Sequence, residues 1–196
     1  MNVLPSGDPS AASASARISF FPSASGTMTA AVAGEDGGER LVHSRIDPLA
    51  EAAEWARVQS ASCRCAVLVG AGMGYTAAAL LEMHRVIGEL WLLEAEPLLL
   101  NAAAANLRLA GTARALRFLP VDDAALLLSI LLPRLQDPFS IHLSPSALSL
   151  APQRYLPVVK ALEGRLRAIL LEPPKPPDGF SPAAALVERM IAEIGA

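Results

Sequence analysis

Two patterns of apolar residues divide this chain. Before residue 47 the apolar positions fall in short runs at 17–21, 28–33 and 40–43, joined by Pro22-Ser-Ala-Ser-Gly26 and Gly34-Glu-Asp-Gly-Gly38. Short β-capable runs with Gly-rich joints predict a small antiparallel β meander over residues 17–46. Asp47-Pro48 predicts a helix start, because Asp accepts the first free amides and Pro lacks only an N–H that would have no partner there. Leu49, Ala52, Ala53 and Ala56 give that helix an apolar face to about residue 60.

From residue 65 the pattern becomes an alternation. Residues 66–69 are apolar without interruption, as in a strand covered on both faces. Further strands are expected at 89–93, 115–119, 139–143 and 167–171. Helical stretches at 75–87, 96–109, 122–132 and 152–163 separate them, with Gly111 and Gly164 as stops. This order predicts an α/β fold with a doubly wound, mostly parallel sheet over residues 47–172. Pro173-Pro-Lys-Pro-Pro177 suits neither helix nor central strand, so residues 173–180 read as an extended linker. Ser181-Pro182 predicts a last helix over 181–196. Residues 1–16, rich in Ser, Ala, Pro and Gly, read as a disordered arm without a secretory pattern.

Composition narrows the functional classes. With 53% hydrophobic and 18% charged residues among 196, the chain is no disordered protein as a whole. Sixteen basic against 19 acidic side chains give a net charge of −3, which argues against a nucleic-acid partner. The longest apolar candidate, 124–132, is about half the length that a membrane span requires. A soluble, cytoplasmic protein with no membrane partner is the expectation. The Ala- and Leu-rich helices make a buried face hard to separate from a homo-oligomer interface.

The candidate chemistry lies in the turn after the first parallel strand, Gly70-Ala-Gly-Met-Gly74. Such a loop brings backbone close to a ligand at a helix N-terminus. The dinucleotide fingerprint would need a third glycine where Tyr75 stands, and no Gly-Lys-Ser/Thr follows for a phosphate loop. The spacing Gly70, Gly72, Gly74 instead resembles the cofactor loop of class I S-adenosylmethionine-dependent methyltransferases. Glu94, at the end of the second parallel strand, is placed to accept hydrogen bonds from ribose hydroxyls. Asp122, after the third, matches an acid that contacts the adenine amino group in such folds. Helix capping explains Asp122 equally well, and tight packing explains the glycines. S-adenosylmethionine or a related nucleoside is the ligand this set implies. Methyltransferases usually carry an acid two positions before the first glycine, where Leu68 stands here, and the fourth strand ends in His142-Leu-Ser-Pro145 rather than a methylation motif.

Leu41-Val-His-Ser-Arg-Ile-Asp-Pro48 with Glu51-Ala-Ala-Glu54, Val67-Leu-Val-Gly-Ala-Gly-Met-Gly-Tyr75 and Leu92-Leu-Glu-Ala-Glu-Pro97 resembles the N-terminal region of the motility accessory factor family. Those bacterial proteins are similar to pterin diphosphokinase-like proteins and are associated with flagellin glycosylation. The likeness spans roughly residues 26–171. It implies a meander followed by a methyltransferase-like Rossmann domain, acting as a stand-alone accessory or ligand-binding module. A protein partner in the flagellar or glycosylation machinery is implied with it. The family's glycosyltransferase-like domain has no counterpart in 196 residues. The alternative is a methyltransferase of unknown acceptor.

Within that signature, Ser44, Arg45 and Asp47 either line a crevice at the strand ends or serve structure, Asp47 as a helix cap and Arg45 paired with an acid such as Glu51. Cys63 and Cys65 read as reduced thiols rather than zinc ligands, since neither His43 nor His84 completes a ligand pattern. His84 reads as a solvated helix residue. His142 reads either as a satisfied strand-end histidine or as a general base near a ligand.

Overall fold

The computed structural model describes residues 18–33, 38–109, 114–136 and 138–171. The expected arm at 1–16, linker at 173–180 and last helix at 181–196 lie outside them. The meander consists of β1 (Ile18–Pro22), β2 (Met28–Ala33) and β3 (Glu39–Leu41), all antiparallel, with Phe20 opposite Ala30 and Ala31 opposite Leu41. Gly26 takes a positive φ of 84° in the β1–β2 turn, and the tip of that turn holds the next loop through Ala24 N–H to Arg45 O and Ser25 N–H to Ile46 O.

Helix α1 (Pro48–Val58) starts as the sequence predicts. The Asp47 side chain accepts from the amides of Leu49 and Ala50 at 3.0 and 3.1 Å, and Pro48 opens the first turn. The parallel sheet then assembles from β4 (Cys65–Val69), β5 (Glu89–Glu94), β6 (Ala115–Pro120) and β7 (Phe139–Leu143), in the order β6-β5-β4-β7. The chain steps outward from β4 to β6, then returns to the other side of β4. That reversal makes the sheet doubly wound and puts a topological switch point between β4 and β7, above their carboxyl ends.

Helices cover both faces, which is why every residue of β4 is buried. On one face Val67, Val69, Trp91 and Leu93 pack under α4 (Ala124–Leu131) and α6 (Pro152–Leu171). On the other, Ala66, Leu68, Leu90 and Leu92 pack under α2 (Tyr75–Met83) and α3 (Pro97–Leu109). A short α5 (Ala147–Leu150) precedes α6. A third cluster, Ala30, Val32, Val42, Met73 and Leu99, seats the meander directly on the glycine loop.

One expected element is corrected. Residues 167–171 are not a fifth strand; they are the end of α6, which runs through Gly164. The stripe Tyr155, Val158, Leu162 and Leu166 keeps a helical period across the glycine and buries against the sheet. That packing outweighs a glycine cost of about 1 kcal/mol, and a Cβ at Gly164 would meet nothing within 4 Å. The predicted end of α2 also moves, from 87 back to Met83, and Ile87 is buried from the loop that follows. Among the described residues no helix is long and apolar enough to cross a membrane.

Candidate functional site

The three glycines take left-handed φ values, 78° at Gly70, 54° at Gly72 and 86° at Gly74, which explains why the loop is written with them. What surrounds them is protein. A Cβ on Gly70 would lie 2.5 Å from Ala147 Cβ and 2.7 Å from Ser144 Oγ, so the segment after β7 fills the switch point above β4. A Cβ on Gly72 would lie 2.8 Å from His43 Nε2, and one on Gly74 would lie 3.1 Å from the backbone Cα of Ala103 in α3. The close approach that the glycines permit is thus made by the β3–α1 loop, α3 and the β7–α5 loop. A Gly70→Ala variant should lose about 3 kcal/mol of stability, from the strained φ and a clash with Ala147 that has no flexible end to yield. Equilibrium urea unfolding checks it; a loss below 0.5 kcal/mol, as at an open surface turn, would contradict this packing.

The loop amides are engaged one by one. Gly70 N–H and Ala71 N–H donate to Leu93 O at 2.8 and 3.1 Å, and Gly74 N–H donates to Ala71 O at 2.9 Å. Gly72 N–H donates to Glu94 Oε2 at 2.7 Å, and Met73 N–H to His43 Nε2 at 3.0 Å. Asn106 of α3 closes the loop from above by donating to Met73 O at 2.9 Å. Tyr75, the bulky residue that breaks the dinucleotide fingerprint, reaches instead to the meander. Its hydroxyl donates to Met28 O at 2.8 Å, and its ring stands 5.0 Å from that of His43.

Glu94 sits at the end of β5 as expected, but it points inward and is only 2% exposed. Beyond Gly72, its Oε1 accepts from Ala95 N–H at 2.8 Å, Glu96 N–H at 3.1 Å and the Tyr155 hydroxyl at 2.7 Å. Burial pushes its carboxyl above the usual carboxylate range, while Tyr155 and the amides of Gly72, Glu96 and Ala95 pull the other way. Burial, and next the neighbouring Glu94, hold the Tyr155 phenol above its ordinary value. Asp122 stays at the surface, its carboxylate 2.7 Å from Arg154 Nη2, and Asp123 beside it caps α4. Arg154 also donates from Nη1 to Glu96 Oε1 at 3.0 Å and from Nε to Val121 O at 2.8 Å.

The fold thus brings Gly70, Gly72, Gly74 and Glu94 together, with Asp122 linked to them through Arg154 and Tyr155 of α6. A nucleoside does not fit this arrangement. The carboxylate meant for ribose holds four internal donors, the acid meant for adenine holds a guanidinium, and the space over the glycines holds side chains and backbone. Ser144 Oγ and Thr76 Oγ1 are buried near the loop without a hydrogen-bond partner among the described residues, but both are enclosed.

The remaining candidates resolve as structure. Arg45 pairs with Glu39 at 3.2 Å and lies over the Phe21 ring, not with Glu51, which accepts from Ser44 N–H at 2.9 Å. Ser44 Oγ accepts from the amides of Ile46 and Asp47, so all three signature residues serve the entry to α1. His84 ends α2 with Nε2 3.2 Å from Ala56 O. His142 is 2% exposed, with Ser140 Oγ 2.9 Å from Nε2 and Gln59 Oε1 3.3 Å from Nδ1, and burial lowers its pKa to about 4. Cys63 and Cys65 are free thiols, and burial pushes that of Cys65 up. Among the described residues no group of three or more His, Cys, Asp or Glu could hold a metal ion. His43, Arg154 and Tyr155 are the network members that sequence reasoning passed over. Only His43 left a signal, by its place inside the Leu41–Pro48 signature.

This chain matches no protein-family model, and no curated protein matches it.

Proposed function

We propose that this chain is an accessory Rossmann-like domain that works through a protein partner, with its glycine loop used as a clasp rather than as a cofactor site. The observation that carries the reading is the engagement of all five amides from Gly70 to Gly74 inside the chain, together with the four donors on Glu94. A loop built to receive a ligand keeps donors and strand-end acids turned toward it. Here those groups join the meander, the sheet, α3 and α6 to one another. The resemblance of the Leu41–Pro48 signature and its companions to the N-terminal region of motility accessory factors directs the search for that partner to the flagellar or flagellin-glycosylation machinery.

Isothermal titration of the folded protein with S-adenosylmethionine and S-adenosylhomocysteine tests the reading. The expected result is no binding heat up to millimolar ligand. Micromolar affinity, about −8 kcal/mol, that a Gly72→Arg variant abolishes would overturn it in favour of an S-adenosylmethionine-dependent methyltransferase.

A further inference from the structure

Two consecutive residues at the start of α6 answer, group for group, the polar atoms at the carboxyl ends of β5 and β6. The Tyr155 hydroxyl donates to Glu94 Oε1 at 2.7 Å and accepts from Ala95 N–H at 2.8 Å. A sugar hydroxyl would do the same between a strand-end carboxylate and the next backbone amide. The Arg154 guanidinium, planar and bearing only donors, faces three acceptors at once: Val121 O at 2.8 Å, Glu96 Oε1 at 3.0 Å and Asp122 Oδ1 at 2.7 Å. A flat heterocycle with an exocyclic amine would meet the same outer carboxylate. Packing alone does not call for this set, since an apolar residue could complete the stripe of Val158 and Leu162 without bringing a hydroxyl to a carboxylate that is 2% exposed.

We propose that Arg154 and Tyr155 are an internal stand-in for a purine nucleoside, Tyr155 for the sugar and Arg154 for the base, and that their removal turns the crevice into an adenosine-binding site. This rests on the accessory-domain reading, since a self-occupied crevice is what leaves the intact chain without a cofactor.

The experiment compares the full chain with its Arg154→Ala/Tyr155→Ala double variant in thermal unfolding, using adenosine and phenol as separate probes at millimolar concentration. Adenosine is expected to raise the melting temperature of the variant by about 4 °C and to leave the parent unchanged. Adding Glu94→Gln to the double variant should remove the shift. A folded variant with no adenosine shift overturns the proposal. So does a shift with phenol alone, which marks a ring-sized cavity and nothing more. Where the variant does not fold alone, refolding with adenosine decides: recovery with adenosine and not with phenol supports the stand-in, and no recovery overturns it. Adenosine binding by the parent would instead overturn the accessory-domain reading. The stand-in then survives only if the double variant binds at least tenfold tighter.

Discussion

Glu94→Ala should cost about 5 kcal/mol, enough to bring a domain of ordinary stability close to unfolding. The side chain is acceptor to four buried or half-buried donors, the amides of Gly72, Ala95 and Glu96 and the hydroxyl of Tyr155. Each donor left without a partner in a dry site costs roughly 1 to 3 kcal/mol. Part of that is returned, because burial already disfavours the charged carboxylate, as the upward displacement of its pKa indicates. Glu94→Gln separates the two contributions. The amide oxygen can keep the three donors on the Oε1 side, while the amide nitrogen faces Gly72 N–H donor to donor, so a loss of about 2 kcal/mol is expected. Urea unfolding of both variants at neutral pH, with unchanged slopes, measures the differences. An alanine variant within 1 kcal/mol of the parent would mean that the loop does not depend on this carboxylate, and the clasp would lose its centre.

The features that could be read from the sequence are those whose cause is local. Five consecutive apolar residues at Cys65–Val69 can only be a covered strand, and Asp47-Pro48 carries its own capping chemistry. The positive φ values of Gly70, Gly72 and Gly74 follow from the residue type. What each glycine makes room for is set by residues far along the chain, His43 before it and Ala103 and Ala147 after it. No spacing rule announces those neighbours. Glu94 was placed correctly at a strand end, yet whether such an acid turns out to a ligand or inward is decided by Tyr155, which in sequence is one more member of an apolar helical stripe. The misread strand at 167–171 has the same origin. Five residues bounded by Gly164 and a proline run fit either period, and the longer stripe beginning at Tyr155 settles them as helix.

Acidification should weaken this fold well before its surface carboxylates protonate, because two buried histidines are held neutral. His43, 4% exposed, must keep Nε2 unprotonated to accept Met73 N–H, and burial lowers its pKa to about 4. His142 is lowered to about 4 by burial first and by His84 second. Both bind a proton near pH 6.5 once the chain unfolds. A folded pKa below the unfolded one means that the unfolded chain holds more protons between those values. The stability that each neutral histidine contributes is therefore whole above pH 6.5 and is lost as pH falls toward 4, by roughly 3 kcal/mol per residue. Glu94 works in the opposite sense, since its raised pKa lets the folded state keep a proton that the unfolded chain gives up, so acid removes part of its burial cost. Two histidines against one carboxyl still leave a net loss. The urea midpoint should fall steeply from pH 7 to pH 4.5, and His43→Gln should flatten that fall, because glutamine offers Met73 an acceptor that does not titrate. A midpoint that stays level over this range, or an unchanged slope in the variant, would show that His43 is free to charge in place. The clasp between the meander and the glycine loop would then have to be held by Glu94 and the apolar contact of Val42 with Met73 alone.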